Sequence, residues 1–263
     1  MSEYHAKLTE LLHARTPFVS VIVVDTTGSV PNESGTKMLV TQNGLHYGTV
    51  GGGKIEKKAI EEALALINDK DGKSTQFVNW SLSRDVGMTC GGQVKLFFEK
   101  YNVNPWQVTV FGAGHVANAL INLLTKLECR VLCIDPRPEW LNKLSDSPKL
   151  ETICSDNMPS QVASVPESSF VLLMTMGHST DMPILIEILK QQRKFPYVGV
   201  IGSAAKAARL RKDVTEAGLP ESATKSYYCP IGLDLGSNHP EEIAISVIAQ
   251  LIQQRDLIRA PKN

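Results

Sequence analysis

Gly112 and Gly114 follow an apolar run in the pattern of a turn that binds phosphate. Val108–Phe111 suits a buried strand, and an apolar helix pattern begins at His115. Gly112 lets the chain reverse, Gly114 leaves room for a phosphate, and Ala117 is small enough for close helix packing. The helix amino terminus then offers free N–H groups and a partial positive charge. The stretch predicts a Rossmann-type turn with His115 near any bound phosphate.

An acidic residue follows the next apolar run, as this kind of turn requires. Cys129–Ile134 ends in Asp135, about 20 residues after Gly114, where a carboxylate accepts hydrogen bonds from ribose hydroxyls. Asp135 favours NAD, whereas the nearby Arg137 suits a 2′-phosphate. An α/β fold with an empty turn is the alternative, because a fold does not determine its ligand.

Cys90 stands before two glycines, between two strand patterns. Gly91 and Gly92 leave space around its sulfur, so that the thiol can face a ligand. A thiolate is a good nucleophile and a good ligand for a soft metal. A small buried residue is the other interpretation.

Three further clusters have the residue types of an anion site. Gly51, Gly52 and Gly53 precede a helix pattern and could form a nest of N–H groups, with Glu56 in the first helical turn. An ordinary strand-to-helix turn explains these residues equally well. His178 follows a strand end as a proton donor or phosphate partner, or belongs to a helix cap. Ser203 follows another strand end, after Gly202.

Composition excludes several classes of function. The 263 residues are 43% hydrophobic and 21% charged, with zero formal net charge, so bulk electrostatics favours neither nucleic acid nor an anionic membrane. The apolar runs are too short to span a bilayer, and the amino terminus lacks a secretory apolar region. Five cysteines without disulfide spacing predict the cytoplasm. Without a Ser/His/Asp order, a Walker A or an H-E-x-x-H motif, no catalytic residue is predicted.

The chain divides into two predicted domains near Lys100–Trp106. The first, residues 1–104, is a mixed α+β domain, with a helix over 3–15, a helix over 54–68, and a hairpin signal at Asn43-Gly44. In the second, residues 105–263, strand and helix patterns alternate. That alternation predicts an α/β, Rossmann-like domain, with a parallel sheet covered by helices on both faces. Its ligand crevice is expected at the carboxyl ends of the strands.

Eight blocks resemble, in order, the XdhC/CoxI family of accessory proteins of xanthine dehydrogenase and related molybdenum hydroxylases. The blocks cover nearly the whole chain. They lie at Gly28–Met38, Gly48–Glu56, Gly87–Gly92, Gly112–Ala117, Asp135–Arg137, Gly177–Asp181, Gly199–Arg209 and Pro230–Ala244. Thr89 stands where many members carry a second cysteine beside the one matched by Cys90.

This resemblance implies a chaperone more than a catalyst. Family members are held to bind the molybdenum cofactor, to protect it during sulfuration by a cysteine desulfurase, and to deliver it to an apo molybdenum hydroxylase such as xanthine dehydrogenase. We therefore expect the Gly112–Ala117 turn to hold the phosphate of molybdopterin and Asp135 to hold a ribose in the cytosine dinucleotide form. Cys90 would face the metal, which places the cofactor between the two domains. A homodimer is the expected assembly.

Two alternatives remain. One is an NAD(P)-binding oxidoreductase, although no acid or base for hydride transfer is identified. The other is a nucleotide-binding regulator that only pairs with a dehydrogenase.

Overall fold

The computed structural model describes residues 3–69, 73–103 and 106–259. The chain divides into two compact units, Met1–Asn104 and Pro105–Asn263. The predicted domain boundary falls on residues 104 and 105, which lie outside the described residues. Each unit contains its own five-stranded sheet.

The N-terminal unit is an antiparallel sheet with two helices. Its elements are α1 (Glu3–His13), β1 (Phe18–Thr27), β2 (Lys37–Thr41), β3 (Gly44–Gly48), α2 (Gly53–Asn68), β4 (Thr75–Ser81) and β5 (Gln93–Tyr101). The strand order is β3-β2-β1-β5-β4, and all its pairs are antiparallel.

Alternation along β1 decides which helix covers which face of this sheet. Val19, Val21 and Val23 are buried in one core with Ile55 and Ala59 of α2. The intervening positions point to the other face, where Phe18 packs with Leu39 of β2 and Leu11 of α1. The N-terminal unit is therefore the mixed α+β unit that the residue pattern predicts.

The C-terminal unit is a parallel sheet between two layers of helices. Its elements are β6 (Trp106–Phe111), α3 (His115–Leu124), β7 (Cys129–Asp135), α4 (Pro138–Leu141), β8 (Leu150–Cys154), β9 (Ser169–Leu173), α5 (His178–Lys190), β10 (Tyr197–Val200), α6 (Ala204–Glu216) and α7 (Pro240–Arg259). The strand order is β10-β9-β6-β7-β8, with every pair parallel.

Both faces of the parallel sheet are buried, which explains the continuous apolar runs of its strands. Helices α3 and α7 pack on one face, with Leu120 and Val247 completely buried. Helices α5 and α6 contribute Leu185 and Leu210 to the core on the other face. The arrangement confirms the predicted Rossmann-like fold.

Some boundaries differ from the predictions. The apolar pattern predicts a helix over 181–193, but α5 begins at His178, because Thr180 Oγ1 accepts a hydrogen bond from the N-cap Gly177 at 3.2 Å. The helix predicted over 240–254 continues to Arg259, and the short helix α4 was not predicted. Four residues are too few to establish a period. Within the described ranges, none of the helices is long and apolar enough to span a bilayer.

Candidate functional site

The strand order reverses between β6 and β9, and such a reversal opens a crevice at the carboxyl ends of the two strands. The turn after β6 holds Gly112, and the segment after β9 begins at Met174. The two are in contact, because Met174 N donates to Phe111 O at 2.8 Å. The structure thus brings the predicted phosphate turn to the expected edge of the sheet.

The two glycines of this turn have different reasons to be glycine. Gly112 has a φ of +108°, and a Cβ there would lie 2.3 Å from Met174 O, so the fold itself requires glycine. Gly114 is the N-cap of α3 with an ordinary φ of −67°, and a Cβ there would meet no described atom within 4 Å. Glycine at 114 keeps space open in front of α3, where no described side chain caps the helix.

Asp135 lies at the end of β7 and is almost fully buried, with 1% of its surface exposed. Its Oδ2 accepts from Ala113 N at 2.7 Å, so the carboxylate fixes the phosphate turn directly. The Arg137 side chain binds both carboxylate oxygens, at 2.8 Å through Nε and 2.7 Å through Nη2. In this structure the two predicted nucleotide residues bind each other.

The pKa of Asp135 reflects these contacts. Burial by itself raises the pKa, but the hydrogen bonds from Arg137 and Ala113 outweigh burial and hold the pKa below its ordinary value. The favourable contribution of the ionised carboxylate to stability is therefore present near neutral pH. It is lost as the pH falls through the lowered pKa of the folded state.

Replacing Arg137 with alanine is expected to reverse this pH dependence. The buried carboxylate keeps its desolvation but loses its charged partner, which costs about 2–3 kcal/mol near neutral pH. Its pKa rises, so acidification protonates Asp135 and relieves the penalty. Thermal unfolding should be measured between about pH 7 and pH 4. The difference in midpoint between Arg137→Ala and wild type should become smaller as the pH falls. Lys143→Ala is the control, and its difference from wild type should stay constant across this range. A constant difference for Arg137→Ala would contradict the conclusion that Arg137 lowers the pKa of Asp135.

Trp140 of α4 lies beside the phosphate turn. The ring of His115 contacts it edge-on at a centroid distance of 4.9 Å. The Arg137 guanidinium lies 5.0 Å from the same ring, and Lys143 Nζ lies 4.1 Å from it. Arg137 is therefore held from two sides, by the carboxylate of Asp135 and by the indole.

A second polar network lies after the carboxyl end of β9, between α5 and α6. Asp181 is completely buried and accepts from Thr175 Oγ1 at 2.6 Å and from Thr175 N at 3.1 Å. Its other oxygen binds Lys206 Nζ, which also donates to Ile201 O at 2.7 Å. This pair joins α5 to α6 and fixes the segment that forms one wall of the crevice.

His178 and Ser203 lie at the amino termini of two helices at this edge. His178 Nε2 lies 2.6 Å from Asp213 Oδ2, and its buried Nδ1 has no hydrogen-bond partner among the described residues. Ser203 caps α6 by accepting from Lys206 N at 3.3 Å. Ser203 therefore caps a helix, whereas one buried ring nitrogen of His178 stays unpaired among the described residues.

In the N-terminal unit, three predicted motifs converge on one loop cluster. A Cβ at Gly92 would lie 2.4 Å from Ser29 O, and a Cβ at Gly51 would lie 2.7 Å from Pro31 Cγ. The segment Gly28–Pro31 therefore crosses both the Cys90–Gly92 loop and the Gly51–Gly53 turn. Gly92 and Gly51 are needed for this close approach.

Cys90 is a half-buried free thiol that packs against the core of the N-terminal unit. A Cβ at the neighbouring Gly91 would meet no described atom within 4 Å, so the space beside the next residue is open. Burial raises the pKa of Cys129 to about 11 and that of Cys133 to about 12, which makes both poor nucleophiles. No three His, Cys, Asp or Glu side chains of the described ranges are grouped to hold a metal ion.

Glu56 stands at the start of α2, as expected. Its Oε2 accepts from Thr49 Oγ1 at 2.5 Å, and that hydroxyl oxygen accepts from Gly51 N at 3.2 Å. Gly52 caps the helix at a φ of +69°, and Cβ atoms at Gly52 and Gly53 would meet no described atom within 4 Å. The geometry is compatible with an anion nest, and equally with a stable helix start.

Sequence reasoning did not select Thr175, Asp181, Lys206, Asp213 or Trp140 as site residues. Asp181 and Lys206 occur in matching family blocks, but nothing in their spacing reveals that the two pair. Asp213 had no signal, because a charged residue on an amphipathic helix is ordinarily solvated.

The fold and the turn define a protein whose C-terminal unit is a Rossmann domain with a phosphate-type turn at its switch point. The XdhC Rossmann domain family matches residues 108–251, more than half of the chain. The XdhC and CoxI family matches residues 11–78. The chain belongs to the XdhC/CoxI family.

Three curated proteins are similar to this chain. The chain is 28% identical over 246 residues to the uncharacterized protein YqeB of Escherichia coli, covering 91% of this chain and 44% of that protein. It is 28% identical over 162 residues to a probable xanthine dehydrogenase subunit of Bacillus subtilis, covering 61% and 46%. It is 22% identical over 280 residues to the molybdenum cofactor insertion chaperone PaoD of Escherichia coli, covering 90% and 83%.

The chain thus spans less than half the length of the first two relatives. A solved structure described as a xanthine dehydrogenase of Bacillus halodurans is similar at 20% identity with a TM-score of 0.49. That similarity covers 97% of this chain and 96% of the other.

Proposed function

We propose that this protein binds the molybdenum cofactor, supports its sulfuration and delivers it to a molybdenum hydroxylase such as xanthine dehydrogenase. Family membership supports an accessory role, and one relative is named as a molybdenum cofactor insertion chaperone. A cysteine desulfurase and the apo-hydroxylase are the proposed partners, and a homodimer is the proposed assembly. All five cysteines are free, as the proposed cytoplasmic location requires.

The observation that carries the proposal is the open space at Gly114. The fold does not require glycine at this position, yet glycine there keeps the N–H groups of α3 accessible at the switch point. The residues present therefore fit a phosphate, the group through which we propose that the pterin is held. His115 is exposed beside the turn, and His178, which starts α5 at the same edge, is a further proposed contact.

Cys90 is the proposed contact of the N-terminal unit with the metal. Molybdenum with sulfur ligands is soft, and a thiolate is a soft partner. The open space at Gly91 lies next to Cys90 in the chain, and the neighbouring Gly51–Gly53 turn with Glu56 is the proposed polar surround. The cofactor, when bound, supplies the metal and its sulfido ligand, while this chain supplies binding and protection.

Replacing Gly114 with aspartate tests the phosphate site. An aspartate N-cap is favourable for α3, so the fold should keep its stability. Its carboxylate fills the space and repels a phosphate, and we expect pterin co-purifying with the protein to fall at least about tenfold. Gly114→Asn is the matched neutral control and should lose less of the co-purifying pterin than Gly114→Asp. Wild-type pterin content on a folded Gly114→Asp protein would overturn the phosphate assignment.

A further inference from the structure

The carboxylate of Asp135 has no free acceptor position for a ribose hydroxyl. A carboxylate offers about four lone-pair directions. Oδ1 accepts from Arg137 N at 2.9 Å and Arg137 Nε at 2.8 Å. Oδ2 accepts from Ala113 N and Arg137 Nη2, each at 2.7 Å. Together these four hydrogen bonds use the full capacity of the side chain.

Arg137 also blocks the approach to Asp135. The Asp135 side chain is 2% exposed, whereas the arginine that covers it is 24% exposed. Trp140 packs 5.0 Å from the guanidinium carbon. A ribose could therefore reach Asp135 only if the Arg137 side chain broke both of its hydrogen bonds and left the indole, which would leave a buried carboxylate without its charged partner.

We infer that the Asp135–Arg137 pair selects a cofactor whose phosphate carries no nucleoside. This inference rests on the proposed function and concerns the same turn. The preferred ligand is a terminal phosphomonoester, the mononucleotide-free form of molybdopterin, and both its cytosine dinucleotide form and NAD are disfavoured. Arg137 is the specificity-determining residue, because it occupies the acceptor that a ribose needs.

The test is the nucleotide content of the co-purified cofactor. Wild-type protein is purified anaerobically from a host that makes both forms of the cofactor, and the CMP released by hydrolysis is measured against pterin. We expect a ratio of CMP to pterin below about 0.1 for wild type. Arg137→Ala exposes Asp135, so its ratio should rise at least about tenfold. Lys143→Ala, which removes a cation from the same indole without touching Asp135, should keep the wild-type ratio.

The outcomes separate the inference from the proposed function. Equal amounts of CMP and pterin on wild type would overturn the inferred selection against the nucleotide form. The proposal that the protein binds the cofactor would still stand. Saturable binding of NAD⁺ by wild type in a direct titration would overturn the selection as well. Protein without pterin would overturn the proposed function, and this inference would fall with it. The wild-type ratio is decisive even if Arg137→Ala does not fold.

Discussion

Replacing Asp181 with asparagine is expected to destabilise the C-terminal unit by about 3–5 kcal/mol. The new amide would keep an acceptor for the backbone N–H and hydroxyl of Thr175, but Lys206 would lose the carboxylate that balances its charge. The Lys206 side chain is only 16% exposed, and a largely buried charge without its partner is costly. Thermal unfolding should show a midpoint lower by about 10 °C.

The double variant Asp181→Asn with Lys206→Met tests whether the unpaired charge of Lys206 causes the loss of stability. Methionine has a similar volume to lysine and carries no charge, so the double variant leaves no unpaired ion. Replacing both members of a buried pair is often close to neutral for stability. We expect the double variant to recover most of the loss of Asp181→Asn. A double variant as unstable as the single one would show that an unpaired lysine is not the cause.

Replacing Gly112 with alanine is also expected to cause a large loss of stability. Alanine would have to adopt a φ of +108°, and its Cβ would lie 2.3 Å from the backbone oxygen of Met174. Backbone strain of this kind costs about 1–3 kcal/mol, and the collision forces β6 and β9 apart at the switch point. We expect a total loss above about 3 kcal/mol, measured by urea unfolding.

Gly114→Ala is the matched control for that measurement. Gly114 has an ordinary φ and open space, so alanine there should cost no more than about 1 kcal/mol through poorer capping. The two variants should therefore differ strongly in stability. Equal losses of stability at the two positions would contradict the conclusion that the fold requires glycine at 112 but not at 114.

Local patterns were enough to predict most of the fold. The apolar run before Gly112 lies in a central strand of the parallel sheet, buried on both faces, and the alternation of strands and helices after it predicts that sheet. The apolar run Phe18–Val24 predicts a buried strand, and it lies in β1, the central strand of the antiparallel sheet. Helix starts were predicted less accurately, because the turn at Gly177 depends on the hydroxyl of Thr180 inside the helix.

The site was predicted less completely, because its decisive contacts join distant parts of the chain. Sequence spacing selects Asp135 for a ribose but does not reveal that Arg137 closes back onto it. The pairing of Asp181 with Lys206 is a tertiary contact between two helices. The approach of Ser29 to Gly92 joins segments far apart in the sequence. Residue types predicted candidates, and only the fold shows which of them already bind one another.

The central claim is tested most directly by the molybdenum and pterin content of the protein purified anaerobically from a host that makes the cofactor. The account predicts nearly one equivalent of each per wild-type chain, little of either on Cys90→Ser, and wild-type content on Cys154→Ser, which changes an exposed thiol. Wild-type protein without pterin that binds NAD(P) saturably would contradict the account and favour an oxidoreductase.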